Sequence, residues 1–418
     1  KHNGFIKIIT GIRRCGKSYL LNKLFYKHLL NENIAEDHII QFAFDTAQDL
    51  LKIGEDPIIL DNEKEERKVD PSRFITWLMP QINSEGMYYL LLDEVQKLGA
   101  FESVLNGFLR KNNVDVYVTG SNSKFLSKDV LTEFEGRGDE VHVLPLSFSE
   151  YYAFKQGDKG EAYDDYSVYG GLPAVALMST EEQKTNYLIS QMKNVYLRDI
   201  VVRYSVQDEM ILGEVMDVIA SGISTLTNPR KIAATMNSVH RTSTCDSTVD
   251  KYIGYAEEAF MLSRVKRYNI KGRKYIGTPY KIYFEDVGLR NARLFFRQIE
   301  ETHIMENIIY NELRYRGYQV DVGTVEFREK NTEGKEVRVQ REIDFIATLG
   351  SKKYYVQSAY AIPDKEKYEQ ETKSFERTMD SFKKIIIVEK SMKARYDENG
   401  YLMMGIKEFL LDANSLLI

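Results

Sequence analysis

Three observations predict an α/β fold for this chain. The apolar run FIKIIT passes directly into GIRRCGKS, a glycine-rich turn followed by helical spacing. The segment MYYLLLDEVQKL ends an apolar run in two acids, and VDVYVTGSNS ends another in small polar residues. Strands that are apolar throughout belong to parallel sheets covered on both faces, and ligands of such sheets gather at the carboxyl ends of the strands.

At 418 residues the chain is too long for one ordinary core. Three segments are expected: 1–155 with the parallel sheet, 156–289 mainly helical, and 290–418 of mixed α/β character. A hydrophobic share of 43%, a charged share of 28% and a net charge of -5 describe a soluble globular protein, so any nucleic-acid contact must be local. No run of 18 apolar residues and no charged-then-apolar leader is found, which argues against a membrane partner and for a cytoplasmic protein. Cys15 and Cys245 alone cannot build a disulfide framework. Histidines at 2, 28, 38, 142, 240 and 303 lack ligand spacing, so zinc is not expected. The chain opens at a lysine close to its first strand, and further native residues are expected upstream.

The first element carries the most specific signal. Gly11, Gly16, Lys17 and Ser18 fit G-x-x-x-x-G-K-S/T, in which backbone N–H groups cradle phosphates, the lysine reaches the outer phosphates and the hydroxyl ligates magnesium. The loop residues Gly11, Ile12, Arg13, Arg14, Cys15, Gly16, Lys17, Ser18 and Tyr19 are therefore the candidate nucleotide contacts. Glycines let the loop close around an anion and deliver it to a helix N-terminus. In the helix, Leu20, Leu21, Leu24, Phe25 and Leu29 are expected on one buried face. Cys15 is expected to fill the loop.

The second and third elements supply the chemistry. Asp93 and Glu94 close a strand: Asp93 is assigned to the magnesium ion through its water shell, and Glu94 to polarising the attacking water. On the neighbouring strand Thr119, Ser121 and Asn122 are each able to touch a γ-phosphate or that water, and Asn122 is the preferred sensor.

GIRRCGKS, LLLDEVQKL, VTGSNSKFLS, GRGDEVHVLPLSFSEY and YGGLPAVAL together resemble the bacterial and archaeal AAA-type ATPases that carry a nuclease-like C-terminal region of unknown function. The resemblance implies a P-loop NTPase fold, ATP in preference to GTP, magnesium as cofactor and ATP hydrolysis. It also makes Arg137, after Gly136, the candidate finger completing a neighbour's site in a homo-oligomer, the alternative being a surface arginine in a turn.

The middle segment opens with KQGDKGEAYDDYS, which reads as a polar linker. Between Met210 and Asp286 the pattern is helix, helix, turn, helix and two strands, with Asn228 and Pro229 starting one helix and Asp246 or Ser247 capping another. The strands form a hairpin around Lys271 and Gly272. This segment resembles a winged helix. Its hairpin carries Arg264, Lys266, Arg267, Lys271, Arg273, Lys274 and Lys281 with Tyr268 and Tyr275, and no acid among them. Arg267, Lys271, Arg273 and Lys274 are the candidate contacts to DNA or RNA phosphates. The alternative use is structural, the ATPase then being a nucleotide-gated switch acting on a protein partner.

The last segment places Glu306 on a helix, Asp344 on a strand and Gln357, Ser358 and Ala359 on the next. The spacing resembles a PD-(D/E)xK nuclease, in which a glutamate, an aspartate and an acidic-x-lysine triplet bind magnesium and activate water. Gln357 replaces a hard anionic ligand, and Ala359 offers no group to position water. A silent nuclease-like domain is expected.

Overall fold

The computed structural model describes residues 3–57, 68–83, 86–120, 136–240, 244–330 and 334–418. The chain forms two compact units, Lys1–Leu144 with Val202–Ser205 and Glu258–Phe260, and the remainder. By packing, the first unit closes at Leu144, inside the expected segment 1–155. Ser147 explains the shift: its capping box with Glu150 starts a helix, Phe148–Lys155, whose Phe148 and Tyr151 join the core of the second unit.

In the first unit β1 (Ile6–Thr10), β2 (Ile39–Ala43), β3 (Tyr88–Asp93), β4 (Val114–Thr119) and β5 (Gly138–His142) form a parallel sheet in the order β2-β3-β4-β1-β5. Alternate residues feed two cores. Ile6, Ile8, Leu90 and Leu92 pack with Phe74, Leu78, Phe101 and Leu105 on one face, while Ile9, Tyr89 and Leu91 pack with Leu21 and Leu29 on the other. Both faces are covered, which is why the strands read as unbroken apolar runs. The helix after the loop departs from its expected face: Leu21 and Leu29 are buried, but Leu24 is 52% exposed. Leu20–Phe25 is wound as a π-helix, and its wider turn shifts the phase so that Leu21, Phe25 and Leu29 line up and Leu24 swings outward.

The second unit is built on a mixed nine-stranded sheet. Its strands are β6 (Leu226–Thr227), β7 (Leu262–Asn269), β8 (Lys274–Phe284), β9 (Gln319–Lys330), β10 (Glu336–Leu349), β11 (Lys352–Ala359), β12 (Lys383–Val388), β13 (Arg395–Tyr396) and β14 (Leu402–Gly405), in the order β13-β14-β12-β11-β10-β9-β7-β8-β6. Helices Glu209–Ser221, Pro229–His240 and Asp246–Glu258 precede the β7–β8 hairpin. The hairpin does not stand apart from the C-terminal strands. Arg267, Tyr268 and Asn269 pair in parallel with Val322, Gly323 and Thr324, so one sheet crosses the expected 289/290 boundary and gives the edge of β7 a partner.

Two local expectations are corrected. Residues 159–169 are helical rather than linker: Asp158 caps Lys159–Tyr169 through Gly160 and Glu161, and Ala162, Tyr163, Tyr166 and Tyr169 form its buried face. The tyrosines disguise that face because each ring carries a polar tip. The helix Asp246–Glu258 is opened by Cys245, whose carbonyl accepts from Thr248 and Val249, so neither Asp246 nor Ser247 is the cap.

The YGGLP segment has a packing role. Asp286 is 2% exposed and accepts from the N–H groups of Gly171 at 2.8 Å and Leu289 at 3.0 Å. A Cβ on Gly171 would lie 2.2 Å from the Leu146 carbonyl oxygen.

Candidate nucleotide site and basic hairpin

β1 ends at Thr10, and the loop that follows is shaped for close approach. Gly11 has φ 139°, and a Cβ there would sit 2.1 Å from the Val143 carbonyl oxygen. Arg14 and Gly16 also take positive φ, 64° and 105°, before the helix begins at Lys17. Ile12 and Cys15 point into the protein, consistent with a filler role for the thiol, whereas Arg13, Arg14, Ser18 and Tyr19 are exposed. Lys17 is 5% exposed, and its ammonium donates to the carbonyls of Gly11 and Ile12, each at 3.0 Å. The cation is thus held at the centre of the loop.

Asp93 ends β3 beside the loop. It accepts the Thr119 hydroxyl on one oxygen and the Asn22 amide, at 3.1 Å, on the other. The Thr119 hydroxyl in turn accepts the Glu94 N–H at 3.0 Å. One side chain from β4 therefore fixes both acids. Glu94 stands in the left-handed region at φ 51° and accepts from the Gln96 amide. Burial raises the Glu94 carboxyl above its ordinary value; Lys17 pulls it down, and Asp93 pushes it up again. Asp45, just beyond β2, is raised by desolvation and by Asp93. The sequence reading did not single out Asn22, Asp45 or Gln96. Asn22 was findable, since it follows Ser18 by one helical turn. Ser121 and Asn122 lie outside the described residues, so the contact made on β4 is that of Thr119.

Arg137 is exposed and precedes β5 at the end away from the loop. Its carbonyl accepts from Ile6 at 2.8 Å, and Gly138 pairs with Ile6, whereas Thr10 pairs with His142. Four strand steps of about 3.3 Å separate these ends, roughly 13 Å. The backbone of Arg137 is thus remote from its own chain's loop.

The basic hairpin divides. Arg267 is 7% exposed, and its Nε donates to the Pro279 carbonyl at 2.8 Å, so it is withdrawn from any phosphate-contacting surface. Arg264 pairs with Asp250 and Glu257, each at 2.9 Å. Lys281 is buried among carboxylates. Lys266, Lys271, Arg273 and Lys274 remain exposed. Lys271 and Arg273 lie in the turn and Lys274 opens β8, whereas Arg264, Arg267 and Lys281 lie in the paired body of the hairpin.

Glu306 and Asp344 accept from Lys281 in the second unit, and the Ser358 N–H donates to Asp344. Gln357 donates to Glu371 at 3.1 Å while its side-chain oxygen accepts the Asp344 N–H at 3.5 Å, and Ala359 is buried in a core with Ile386 and Phe375. Burial raises Glu306 to about 7, against the pull of Lys281. Burial would lower the Lys281 pKa, but Glu306, Asp344 and Glu342 hold it well above the ordinary lysine value.

The parallel sheet with a loop of this shape after β1, which lies between β4 and β5, is a P-loop NTPase fold, and residues 3–152 match the AAA domain, a class of nucleotide-binding ATPase modules. Residues 160–300 match a domain of unknown function, DUF8612. An uncharacterized protein of Haemophilus influenzae is 33% identical over 396 residues, covering 93% of this chain and 90% of the relative. The chain belongs to the family of that protein, with an AAA domain as its N-terminal module. A second uncharacterized protein, from Methanocaldococcus jannaschii, is 24% identical over 394 residues, covering 90% of this chain and 79% of the relative. Among solved structures, Cdc6p from Pyrobaculum aerophilum matches at 12% identity and a TM-score of 0.28, over 74% of this chain and 90% of that one. That superposition is too loose to carry function across. Among the described residues no helix is long and apolar enough to cross a membrane.

Proposed function

We propose that the protein is a magnesium-dependent ATP hydrolase. The observation that carries this reading is the joint placement of the Lys17 loop, Asp93, Glu94 and Thr119 at the carboxyl ends of neighbouring strands. Magnesium in such sites draws most of its ligands from phosphate oxygens and water. The exposed Ser18 hydroxyl and the Asp93 carboxylate are the two protein groups that fit it. The loop amides and Lys17 bind the phosphates, and Glu94 orients and deprotonates the attacking water. Arg137, remote from its own loop, supplies charge to the site of a second copy, so turnover depends on self-association. Nucleotide binding and steady-state turnover of the wild type, Lys17→Ala and Glu94→Gln test the assignment. Affinity that survives Lys17→Ala unchanged would sink it.

The exposed Lys266, Lys271, Arg273 and Lys274 support a second part of the reading, that the ATPase acts on or is regulated by DNA or RNA. The internal engagement of Arg264, Arg267 and Lys281 favours the other reading, a nucleotide-gated switch with a protein target. A salt titration of duplex binding decides between them. In the C-terminal segment, Gln357 and Ala359 stand where a nuclease would need an acid and a lysine, and we propose a silent nuclease-like region.

A further inference from the structure

Three carboxylates converge on one ammonium in the second unit. Lys281 Nζ lies 2.7 Å from Glu342, 2.8 Å from Glu306 and 3.3 Å from Asp344, and the lysine side chain is only 4% exposed. The carboxylates come from two elements: Glu306 from the helix Glu301–Tyr315, and Glu342 and Asp344 from positions two apart on β10. The lysine comes from a third, β8. Two of the carboxylates accept further donors. Glu306 accepts the Tyr283 hydroxyl at 2.7 Å, and the second oxygen of Asp344 accepts the Ser358 N–H at 2.9 Å.

Carboxylates brought to one point from a helix and a strand are what a hard divalent cation requires. Here a side-chain cation occupies that point. The ammonium donates to Glu306 and Asp344 and pairs with Glu342, so it faces carboxylate oxygens on three sides. A lysine so paired neutralises the cluster, which is the task of a bound cation rather than of a water-positioning nuclease lysine. Among the described residues no three His, Cys, Asp or Glu side chains are arranged to hold a metal. The lysine lies between the groups that would do so.

We propose that Lys281 is a built-in cation that takes the metal position of this carboxylate cluster, locking the β7–β8 hairpin to the C-terminal helix and sheet without any metal. The inference rests on the silent-nuclease reading for the meaning of the cluster, and the two can fail separately.

The test uses the full chain without nucleotide and manganese as the probe. Lys281→Met should lower the thermal midpoint in chelator, millimolar manganese should restore most of the loss, and manganese resonance titration should show one additional bound ion. Adding Glu306→Gln and Asp344→Asn to Lys281→Met should recover the midpoint without metal and remove the extra ion. A Lys281→Met protein that neither binds nor is restored by manganese overturns the proposal. Should that variant fail to fold, wild type and Asp344→Asn are compared by the same titration. Equal manganese binding supports the proposal, and an ion present in the wild type but lost in Asp344→Asn overturns it. Manganese-dependent DNA cleavage that disappears in Asp344→Asn would overturn the silent reading, and equal manganese titrations of the two proteins would still support the metal-free state of this cluster.

Discussion

The Asn22 side-chain amide donates to Asp93 across 3.1 Å, tying the helix that leaves the phosphate loop to the strand end that carries the acidic pair. Ser18 lies in the first turn of that helix, so the link ties together the elements that carry the two proposed magnesium partners. Hydrogen bonds to charged groups contribute roughly 1.5–3 kcal/mol, and Asn22→Ala should therefore lower turnover about tenfold with little change in ATP affinity. Paired measurements of turnover and nucleotide affinity check this. Loss of both together would make Asn22 a support for the loop alone.

Lys17→Ala and Glu94→Gln should separate binding from chemistry. The first removes the cation at the loop centre and should abolish nucleotide binding in equilibrium titrations. The second keeps the shape and the Gln96 contact while removing the base, so binding persists and turnover drops by about 10²-fold or more.

The pH dependence of turnover follows from the same carboxyl. Burial raises Glu94, Lys17 opposes this and the Gln96 hydrogen bond lowers it. A base must be ionised to act, so a raised value moves the acid limb of the rate profile upward, above the ordinary carboxylate range. Gln96→Ala removes a contact that favours the charged form and should move the limb higher still. A profile whose acid limb stays put in Gln96→Ala would place the limb on another group.

Asp286 offers a stability test away from the ATP site. Burial lifts it to about 6, against the N–H groups of Gly171 and Leu289, which lower it. Its unfolded value is near 3.9, so folding favours the protonated form. That contribution is complete below about pH 4 and is lost as pH rises through about 6. Asp286→Asn cannot titrate, and its deficit relative to wild type should shrink by on the order of 2 kcal/mol between pH 4 and 7, read by denaturant unfolding. Gly171→Ala drives a Cβ into the Leu146 carbonyl and should destabilise by about 2 kcal/mol or more at any pH.

Legibility in the sequence tracked locality. The loop, Lys17, Asp93 and Glu94 were readable because their chemistry is written in contiguous residues and unbroken apolar strands. The π-helical phase that exposes Leu24 was not, since one extra residue per turn leaves no mark in composition. The helix at 159–169 hid behind tyrosines and glycines. Lys281 read as one of seven hairpin cations. Only the pairing of β7 with β9, and the helix packed beside them, brings Glu306 and Asp344 to it. Contacts 25 and 63 residues apart in the chain carry no local pattern.

The hairpin tip gives the most discriminating measurement for the protein's output. Lys271, Arg273 and Lys274 are exposed around the turn between β7 and β8, with Lys266 exposed on β7. Each phosphate contact releases a condensed counterion, so the slope of log binding constant against log salt should approach about −3 to −4 if all four cations engage duplex DNA. Neutralising Lys271, Arg273 and Lys274 to glutamine should reduce that slope by about 3 and weaken binding uniformly across sequences, because phosphates carry no base identity. Arg267→Gln should act differently. Its Nε is spent on the Pro279 carbonyl, so its loss should lower stability and leave the salt slope unchanged. Titrations with and without ATP read both quantities. Binding that is insensitive to salt and to the triple substitution would move the hairpin from a nucleic-acid surface to the protein-directed switch.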